Sequence, residues 1–348
     1  MNDQEKVVVS ELTTNLKTRC VGRYLVDLPG MVVARGSTRF QEVSIETTRM
    51  PQDAYEKALS ELIKLRRNNN SDTSADQHLY DSGDAPSVSG SYFFVNSSSG
   101  ASGSIRSLDS SRAIEAYKWD RGYQIVLRID AYDARNLDYT SDSVYGPILK
   151  RLNEDRPPTD VPQKTRLVLD ILKRVQGRAD DSIPTEPGLC FVGGFLPGKA
   201  GPGEQIEDSF AVQGKPDVMF TFRMYTDGHD PVSESMPNRL SKVREYVESA
   251  GGRVIRSGSV RLGDMKAGEM LLEGPFAPPV KGHNFLLEAN TTTGGPETPY
   301  LTFEMDNGNN SFLFPDGERV KQASLTDNEA IAVWDVISRT MRPRPNGF

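Results

Sequence analysis

One stretch has the spacing of a phosphate-binding loop: Gly193-Gly-Phe-Leu-Pro-Gly-Lys199, with four residues between a glycine and a Gly-Lys pair. A working loop continues with Ser or Thr, whose hydroxyl binds magnesium, and with a helix whose first amides face the phosphate. Here Ala200 follows, and Gly201-Pro202-Gly203 disfavours a helix. We therefore predict a turn at this segment and expect no nucleotide or other cofactor.

Hydrolytic chemistry would need a nucleophile beside a base, and the sequence contains neither a Gly-x-Ser-x-Gly nor a His-Glu-x-x-His pattern. A triad assembled in space would have to use His78, His229 or His283. His78 follows a polar Asn/Ser/Asp segment, and His229 lies among turn-forming residues. His283 lies just before a predicted strand, where we expect a structural histidine with satisfied ring nitrogens. No catalytic residue is predicted.

Two polar clusters contain metal-ligand residue types. Asp227, His229 and Asp230 lie within four residues, and Asp306–Asn310 resembles half of a calcium loop. The second cluster lacks the bidentate glutamate of such a loop, because Gly317 stands at its twelfth position. Turn formation explains both clusters, so no metal site is predicted.

Length and composition restrict the class of protein. The 348 residues predict two domains, and the formal net charge of -7, without a long basic stretch, argues against nucleic-acid binding. No run of about 18 apolar residues suggests a spanning helix. The first twenty residues lack the apolar core of a secretion signal. The chain is therefore expected to be cytosolic, or to be a mature protein whose export signal has been removed.

The chain contains one pattern twice, at an offset near 170 residues. Cys20–Pro29 and Cys190–Pro197 both contain Cys, Gly, an aromatic residue, Leu and Pro in the same order. A strand pattern follows each of them, at Glu42–Thr47 and at Val218–Met224. Chance could produce any one match, but the shared order indicates an internal duplication.

Helices and further strands continue the repeat in both halves. Met50-Pro51 and Met236-Pro237 each open a helix with one apolar stripe. Strand patterns follow, and each half closes with a helix, around Val168–Arg174 and Val333–Arg339. Thr326 and Glu329 predict a capping box for the last helix. The stripe residues of the two opening helices are Tyr55, Leu59, Leu62 and Ile63, and Leu240, Val243, Tyr246 and Val247.

These patterns predict an α+β fold of two similar lobes, each an antiparallel sheet with helices packed on it. Residues 1–17 are expected to be an N-terminal extension, residues 18–180 the N-terminal lobe and residues 181–348 the C-terminal lobe. Cys20 and Cys190 hold equivalent places at the entry to the two lobes. Either they are buried as small hydrophobic residues, or one disulfide joins the lobes.

Three segments carry a resemblance to a bacterial family: Cys20–Pro29, Gly188–Leu196, and Asn328–Ile337 with Arg342-Pro-Arg-Pro345. In order and spacing they resemble the immunity proteins paired with type VI secretion phospholipase effectors, the kind with separate N- and C-terminal domains. The resemblance runs from about residue 18 to residue 345. It implies a non-enzymatic inhibitor that holds a toxin lipase between two lobes and keeps the lid from exposing the catalytic serine.

The resemblance also implies residence in the periplasm, a cognate effector as protein partner in a 1:1 complex with a monomer, and membrane contact only through a lost lipid anchor. Candidate partner contacts are exposed loop residues: Tyr225, Asp227, His229 and Asp230 in one loop, and Asn307, Asn309 and Asn310 in another. Two rival interpretations are a hydrolase or other enzyme with an unrecognised site between the lobes, and a structural envelope protein. A neighbouring lipase gene would favour the immunity interpretation.

Overall fold

A computed structural model describes residues 1–69, 78–98, 107–227, 236–291 and 293–348. Apart from two helices that occur only in the first half, Asp3–Thr13 and Tyr145–Asn153, its elements follow one another in the same order in the two halves of the described chain. The first half contains α1 (Asp3–Thr13), β1 (Leu16–Val21), β2 (Tyr24–Pro29), β3 (Val32–Phe40), β4 (Val43–Arg49), α2 (Gln52–Asn69), β5 (Leu79–Asp84), β6 (Tyr92–Ser97), β7 (Ser111–Asp120), β8 (Tyr123–Tyr132), α3 (Tyr145–Asn153), α4 (Val161–Arg174) and β9 (Gln176–Gly177). The second contains β10 (Gly188–Phe191), β11 (Gly194–Pro197), β12 (Glu204–Val212), β13 (Lys215–Tyr225), α5 (Met236–Ser249), β14 (Arg253–Leu262), β15 (Met265–Ala277), β16 (Val280–Ala289), β17 (Tyr300–Asn307), α6 (Asp327–Ser338) and β18 (Arg342–Pro343).

The strand order repeats as well. The first half contains the antiparallel order β4-β8-β7-β6-β5, and the second contains β13-β17-β16-β15-β14. In each case the strand before the opening helix pairs with the last of the four strands after it. This equivalence confirms the predicted α+β architecture of two similar lobes with antiparallel sheets.

Compactness divides the chain differently from the sequence repeat. One compact unit contains Met1–Gln41 together with Ala179–Phe348, and the other contains Glu42–Arg178. In the first unit β3 pairs with β12, β18 pairs with β2, and α1 packs against α6. The compact units do not test the predicted boundary between residues 180 and 181, because that boundary was drawn from the sequence repeat. It stays a prediction.

The two hairpins β1–β2 and β10–β11 meet inside the first unit. A disulfide joins Cys20 to Cys190 across a Cα–Cα distance of 5.7 Å, and both residues are buried. Gly22 and Cys190 exchange two backbone hydrogen bonds of 2.8 Å. Beside them Arg23 forms a buried ion pair with Glu204, with Nη2–Oε1 at 2.6 Å. The two equivalent cysteines therefore lie against each other in one packed region.

The strands β13-β17-β16-β15-β14, with β12 beside β13, form what we call the second sheet. Helices lie on both of its faces but cover the two faces unequally. On one face, Trp334 of α6 packs against Phe285 and Phe303, with ring centroids 6.0 and 5.6 Å apart. The predicted capping box of Thr326 and Glu329 begins this helix. On the other face, α5 packs mainly over β14 and β15, through an apolar cluster that contains Met236, Val247, Met270 and Leu272, and it reaches β16 through Leu286 and Glu288. Val243 joins this cluster, whereas Tyr246, predicted to belong to the same stripe, is exposed.

In the second unit α2 packs on β5 and β7, while α4 packs on β7 and β8. The predicted stripe residues Leu59, Leu62 and Ile63 of α2 contact Tyr92 and Phe94 of the sheet. The apolar period of the helix therefore correctly indicated which side of α2 is covered.

The stretch that resembles a phosphate loop forms the hairpin β10–β11. Its turn is confined to Val192 and Gly193, and Gly194–Pro197 is a strand paired with Gly188–Phe191. The prediction of a turn over the whole stretch was wrong for Gly194–Pro197, because Phe195 and Leu196 are buried and draw the backbone into the sheet. No helix follows Lys199.

Candidate partner-binding surfaces

Along β12, β13 and β17, polar and aromatic side chains alternate with core residues. The polar and aromatic side chains lie on the side of the second sheet that carries α5. Because successive side chains of a strand point to opposite faces, the residues paired in register share this side. Next to the strands under α5, the outward positions of β12, β13 and β17 are partly accessible, apart from Thr221 and Thr302, which are buried. We call these positions the open face: Glu207, Ser209, Met219, Arg223, Tyr225, Tyr300, Thr302, Glu304 and Asp306.

Arg223 lies between two carboxylates at the centre of the open face. Its Nη1 donates to Glu304 Oε1 at 2.6 Å, and its Nε donates to Glu207 Oε2 at 3.0 Å. Burial opposes the charged form, but Glu304 and Glu207 outweigh it and raise the pKa of Arg223. The guanidinium group is therefore held in one orientation.

The open face also contains two carboxyl groups that are partly withdrawn from water. Burial raises the pKa of Glu304, and repulsion from Asp306 adds to the rise, while Arg223 opposes it. Burial likewise raises the pKa of Asp306, although hydrogen bonds from Asn284 and Asn309 oppose the shift. Two neighbouring acids thus have one guanidinium group between them for compensation.

Tyr225 lies on the open face, as a half-buried residue at the end of β13. Its ring stacks on that of Tyr300, with centroids 6.2 Å apart. The Tyr300 hydroxyl donates to Glu288 Oε1 at 2.7 Å, and Arg239 of α5 also binds Glu288. Asp227 follows as an exposed residue, whereas the predicted contacts His229 and Asp230 lie outside the described residues.

The second loop that was predicted to contact a partner, with Asn307, Asn309 and Asn310, is exposed only in part. Asn307 is fully buried, because its side chain turns inward at the end of β17 and donates to Leu325 O at 2.9 Å and to His283 Nδ1 at 2.8 Å. The prediction that Asn307 is an exposed contact residue was therefore wrong. Asn309 is partly buried and Asn310 is exposed.

Asn310 lines a shallow depression of about 260 Å³ at the other end of the open face, together with Ser209, Met219 and Phe312. Tyr225 pairs with Tyr300 at the first residue of β17, whereas Asn310 follows its last residue. The eight residues of β17 lie between these two points and span roughly 26 Å. The two predicted loops therefore border the same face at opposite ends.

His283 is a structural residue of β16 rather than a residue that precedes the strand. Its Nδ1 accepts from Asn307, and its Nε2 lies 3.1 Å from Asp327 Oδ1. These two hydrogen bonds assign the proton to Nε2. Nδ1, the unprotonated nitrogen that could act as a base, already accepts the hydrogen bond from Asn307. Burial lowers the pKa of His283, and Asp327 opposes the shift. The prediction of a satisfied structural histidine is confirmed.

His78 packs edge-on against Tyr80, with ring centroids 4.7 Å apart. Across the described ranges, no three His, Cys, Asp or Glu side chains lie close enough together to hold a metal ion. Over those same ranges, no helix combines the length and the apolar character needed to cross a bilayer.

The second unit presents an apolar helix face that the sequence analysis missed. Val144, Tyr145, Ile148 and Leu152 are 64, 60, 54 and 60% exposed. Their spacing places Tyr145, Ile148 and Leu152 on one side of α3, and we call the four residues the α3 stripe. The three- and four-residue spacing was visible in the sequence, but it usually indicates a buried face.

Local hydrogen bonds hold α3 in place. Asp142 Oδ1 accepts from the amides of Val144 and Tyr145 at 2.8 and 2.9 Å, and these bonds lower the pKa of Asp142. At the base of this segment, Ala134 N donates to Pro158 O at 2.8 Å. The helix that exposes the α3 stripe is therefore held by hydrogen bonds at its start and at the base of its segment.

Family comparisons define the class of protein. The C-terminal domain model of Tle cognate immunity protein 4 matches residues 182–346, and the N-terminal domain model matches residues 17–178. The fold and these two matches identify an immunity protein of the type VI secretion system. More narrowly, the chain belongs to the family of Tle cognate immunity protein 4. No curated protein matches the sequence.

Solved structures share the fold over nearly the whole chain. The apo immunity protein TplEi of the type VI secretion system of Pseudomonas aeruginosa has a TM-score of 0.66 at 18% identity, covering 95% of this chain and 98% of that one. A chain of the Tle4-Tli4 complex has a TM-score of 0.69 at 18% identity, covering 96% and 99%. A complex of TplEi with an "L" peptide gives 0.61 at 19% identity, covering 96% and 99%.

Proposed function

We propose that this immunity protein binds a cognate type VI secretion phospholipase effector as a monomer in a 1:1 complex and inhibits it without catalysis of its own. The observation that carries the proposal is the α3 stripe, since apolar side chains displayed on a protein surface mark an interaction site. The complex solved for Tle4 and Tli4 supports a protein partner. The occupied ring nitrogens of His283 argue against the rival enzymatic interpretation.

Inhibition would act on the lid of the lipase. A lipase lid must move before substrate enters, so a partner that binds the closed lid shifts the population away from the active form. No contact with the catalytic serine is needed for this effect.

Lipid-directed enzymes offer an apolar surface of the required kind. Acyl chains must pass the mouth of the active site, so the surrounding residues are apolar, and the α3 stripe would cover such residues. Full burial of one large aliphatic side chain contributes about 1.5–3 kcal/mol. Ile148 and Leu152 together would then contribute on the order of a hundredfold in affinity.

The remaining contacts in the proposal are Tyr225, Asp227, Asn309 and Asn310, with His229 and Asp230 as further candidates. We also propose that the protein works in the periplasm. A buried disulfide between Cys20 and Cys190 suits an oxidising compartment, because cytosolic proteins rarely keep such bonds.

The test is an inhibition titration with the lipase encoded beside this gene. Equimolar protein should abolish hydrolysis of phospholipid vesicles, and Ile148→Ser with Leu152→Ser should raise the Kd roughly a hundredfold. Leu65→Ser is the matched control, because Leu65 is a leucine of α2 that is 55% exposed and lies outside the α3 stripe. Full lipase activity at equimolar protein would refute the proposed function. Equal losses for the control and the α3 variant would refute the role of the stripe.

A further inference from the structure

We propose that the Glu304–Asp306 part of the open face receives an arginine or lysine side chain of the effector. This inference rests on the proposed function and specifies the chemistry of one contact. Its first support is geometric: Glu304 and Asp306 are two residues apart on β17, so their side chains lie on the same side of the sheet. Arg223 binds Glu304 from the β13 side.

Among the described residues, acids outnumber bases around Glu304 and Asp306. Glu304 and Glu207 share Arg223, and one strand further away Glu288 is paired with Arg239. Asp306 accepts from Asn284 and has no ion pair among the described residues, and Arg35 lies on the same side of the sheet but further away, on β3 beside Ser209. Two like charges in a partly desolvated place repel each other, so an incoming cation would gain from both.

A polar atom without a partner lies in the same place. Thr302 Oγ1 is buried and has no hydrogen bond, and Thr302 is 6% exposed. By register it lies opposite Arg223 on the open face, two residues from Glu304. A hydroxyl group of this kind is an acceptor that a guanidinium or ammonium donor can satisfy.

The raised pKa values of Glu304 and Asp306 make the contact sensitive to pH. Binding of a cation requires both carboxyl groups to be ionised, and burial raises the pKa of each in the free protein. Affinity should therefore fall as the pH is lowered from 7.5 towards the carboxyl range, and it should begin to fall at a higher pH than for ordinary carboxyl groups. It should also fall with rising salt, because an accessible ion pair is screened.

The test is calorimetric binding of the neighbouring lipase to the full chain. Glu304→Gln with Asp306→Asn should weaken binding about tenfold or more at pH 7.5 and reduce the dependence on pH and salt. Glu304→Gln alone leaves the Asp306 hydrogen bonds intact and should weaken binding about fivefold. Glu318→Gln, an exposed acid outside the open face, is the control and should change nothing.

The outcomes separate this inference from the proposed function. Tight binding by the wild type with unchanged affinity and pH dependence in both variants would overturn the cation contact while the immunity function stands. Absence of wild-type binding would overturn both. A circular dichroism melt of each variant shows whether a loss of affinity comes from a loss of folding. If the double variant does not fold, the affinity of Glu304→Gln alone decides whether the cation contact exists.

Discussion

The two connections that lead from a sheet to its closing helix differ, although they occupy the same place in the repeat. Between β8 and α4, residues 133–160 form an excursion that carries the exposed α3 stripe. Between β17 and α6, residues 308–326 contain no regular helix and are tied down by buried polar side chains. One connection presents apolar side chains to solvent, and the other uses polar side chains inside the unit.

Buried anchors explain the second connection. Asp217, 3% exposed, accepts from the Gly308 amide at 3.0 Å, the Ser324 amide at 2.7 Å and the Ser324 hydroxyl. Asn307 accepts from the Leu325 amide at 3.0 Å. At both ends of this connection the amides of Gly308, Ser324 and Leu325 are therefore satisfied by strand side chains, whereas the middle of the connection is bonded internally, as in the bond from Val320 N to Asn310 Oδ1.

Around α3 the first connection satisfies its amides locally, through Asp142, whereas the Asp133 and Asp138 amides donate to the carbonyls of Ser110 and Ser107. The outward side chains of its α3 stripe are more than half exposed. The difference teaches that the repeated scaffold determines where a connection begins and ends, whereas its own residues determine what it presents to a partner.

Removal of the buried anchor should have the largest effect on stability. Asp217→Ala should lower the free energy of unfolding by about 3 kcal/mol, because three donors of the connection lose their acceptor. Urea denaturation measures the change. Asp142→Ala, at the solvated start of α3, is the counterpart and should cost much less. Equal losses would mean that the two connections are anchored in the same way.

Protonation of His283 should loosen the second connection in acid. Burial lowers the pKa of His283 in the folded chain, so the unfolded chain binds the extra proton. Stability should therefore fall as the pH drops below about 6.5, with a slope of at most about 1.4 kcal/mol per pH unit from this residue. His283→Gln should remove that part of the slope in urea titrations between pH 7.5 and 5. An unchanged slope would contradict the assignment.

The smallest effect on stability is expected at the α3 stripe. Ile148→Ser with Leu152→Ser should change the free energy of unfolding by no more than about 0.5 kcal/mol, since both side chains are already in water. Leu325→Ser, a buried leucine of the other connection, should cost about 2–4 kcal/mol. A large loss from the α3 variant would show that the stripe belongs to a core.

Much of the fold could be predicted because its signals are local. The repeated segments around Cys20 and Cys190, the alternating strands and the Thr326 capping box all depend on residues within a few positions of one another. The α1 helix was missed because its apolar residues form only a weak stripe, and β12 was missed because two of its buried positions are the acids Glu204 and Asp208, which interrupt the apolar alternation.

The candidate surfaces were predictable only in part. Tyr225 was found because it ends a clear strand pattern, and it lies on the open face. Asn307 was assigned to an exposed loop because asparagine favours turns, yet its amide is satisfied by Leu325 and His283. The α3 stripe was overlooked because its spacing is also that of a buried helix face.

The sequence by itself determined the order of the elements, their duplication and their apolar faces, since periodicity depends only on neighbours along the chain. Only the tertiary structure decided that residues 1–41 fold with the second half, that Asn307 is buried and that α5 leaves part of a sheet face open. These outcomes depend on pairing between residues far apart in sequence, such as Arg23 with Glu204 and Asp217 with Ser324, and no local pattern records which distant partner is chosen.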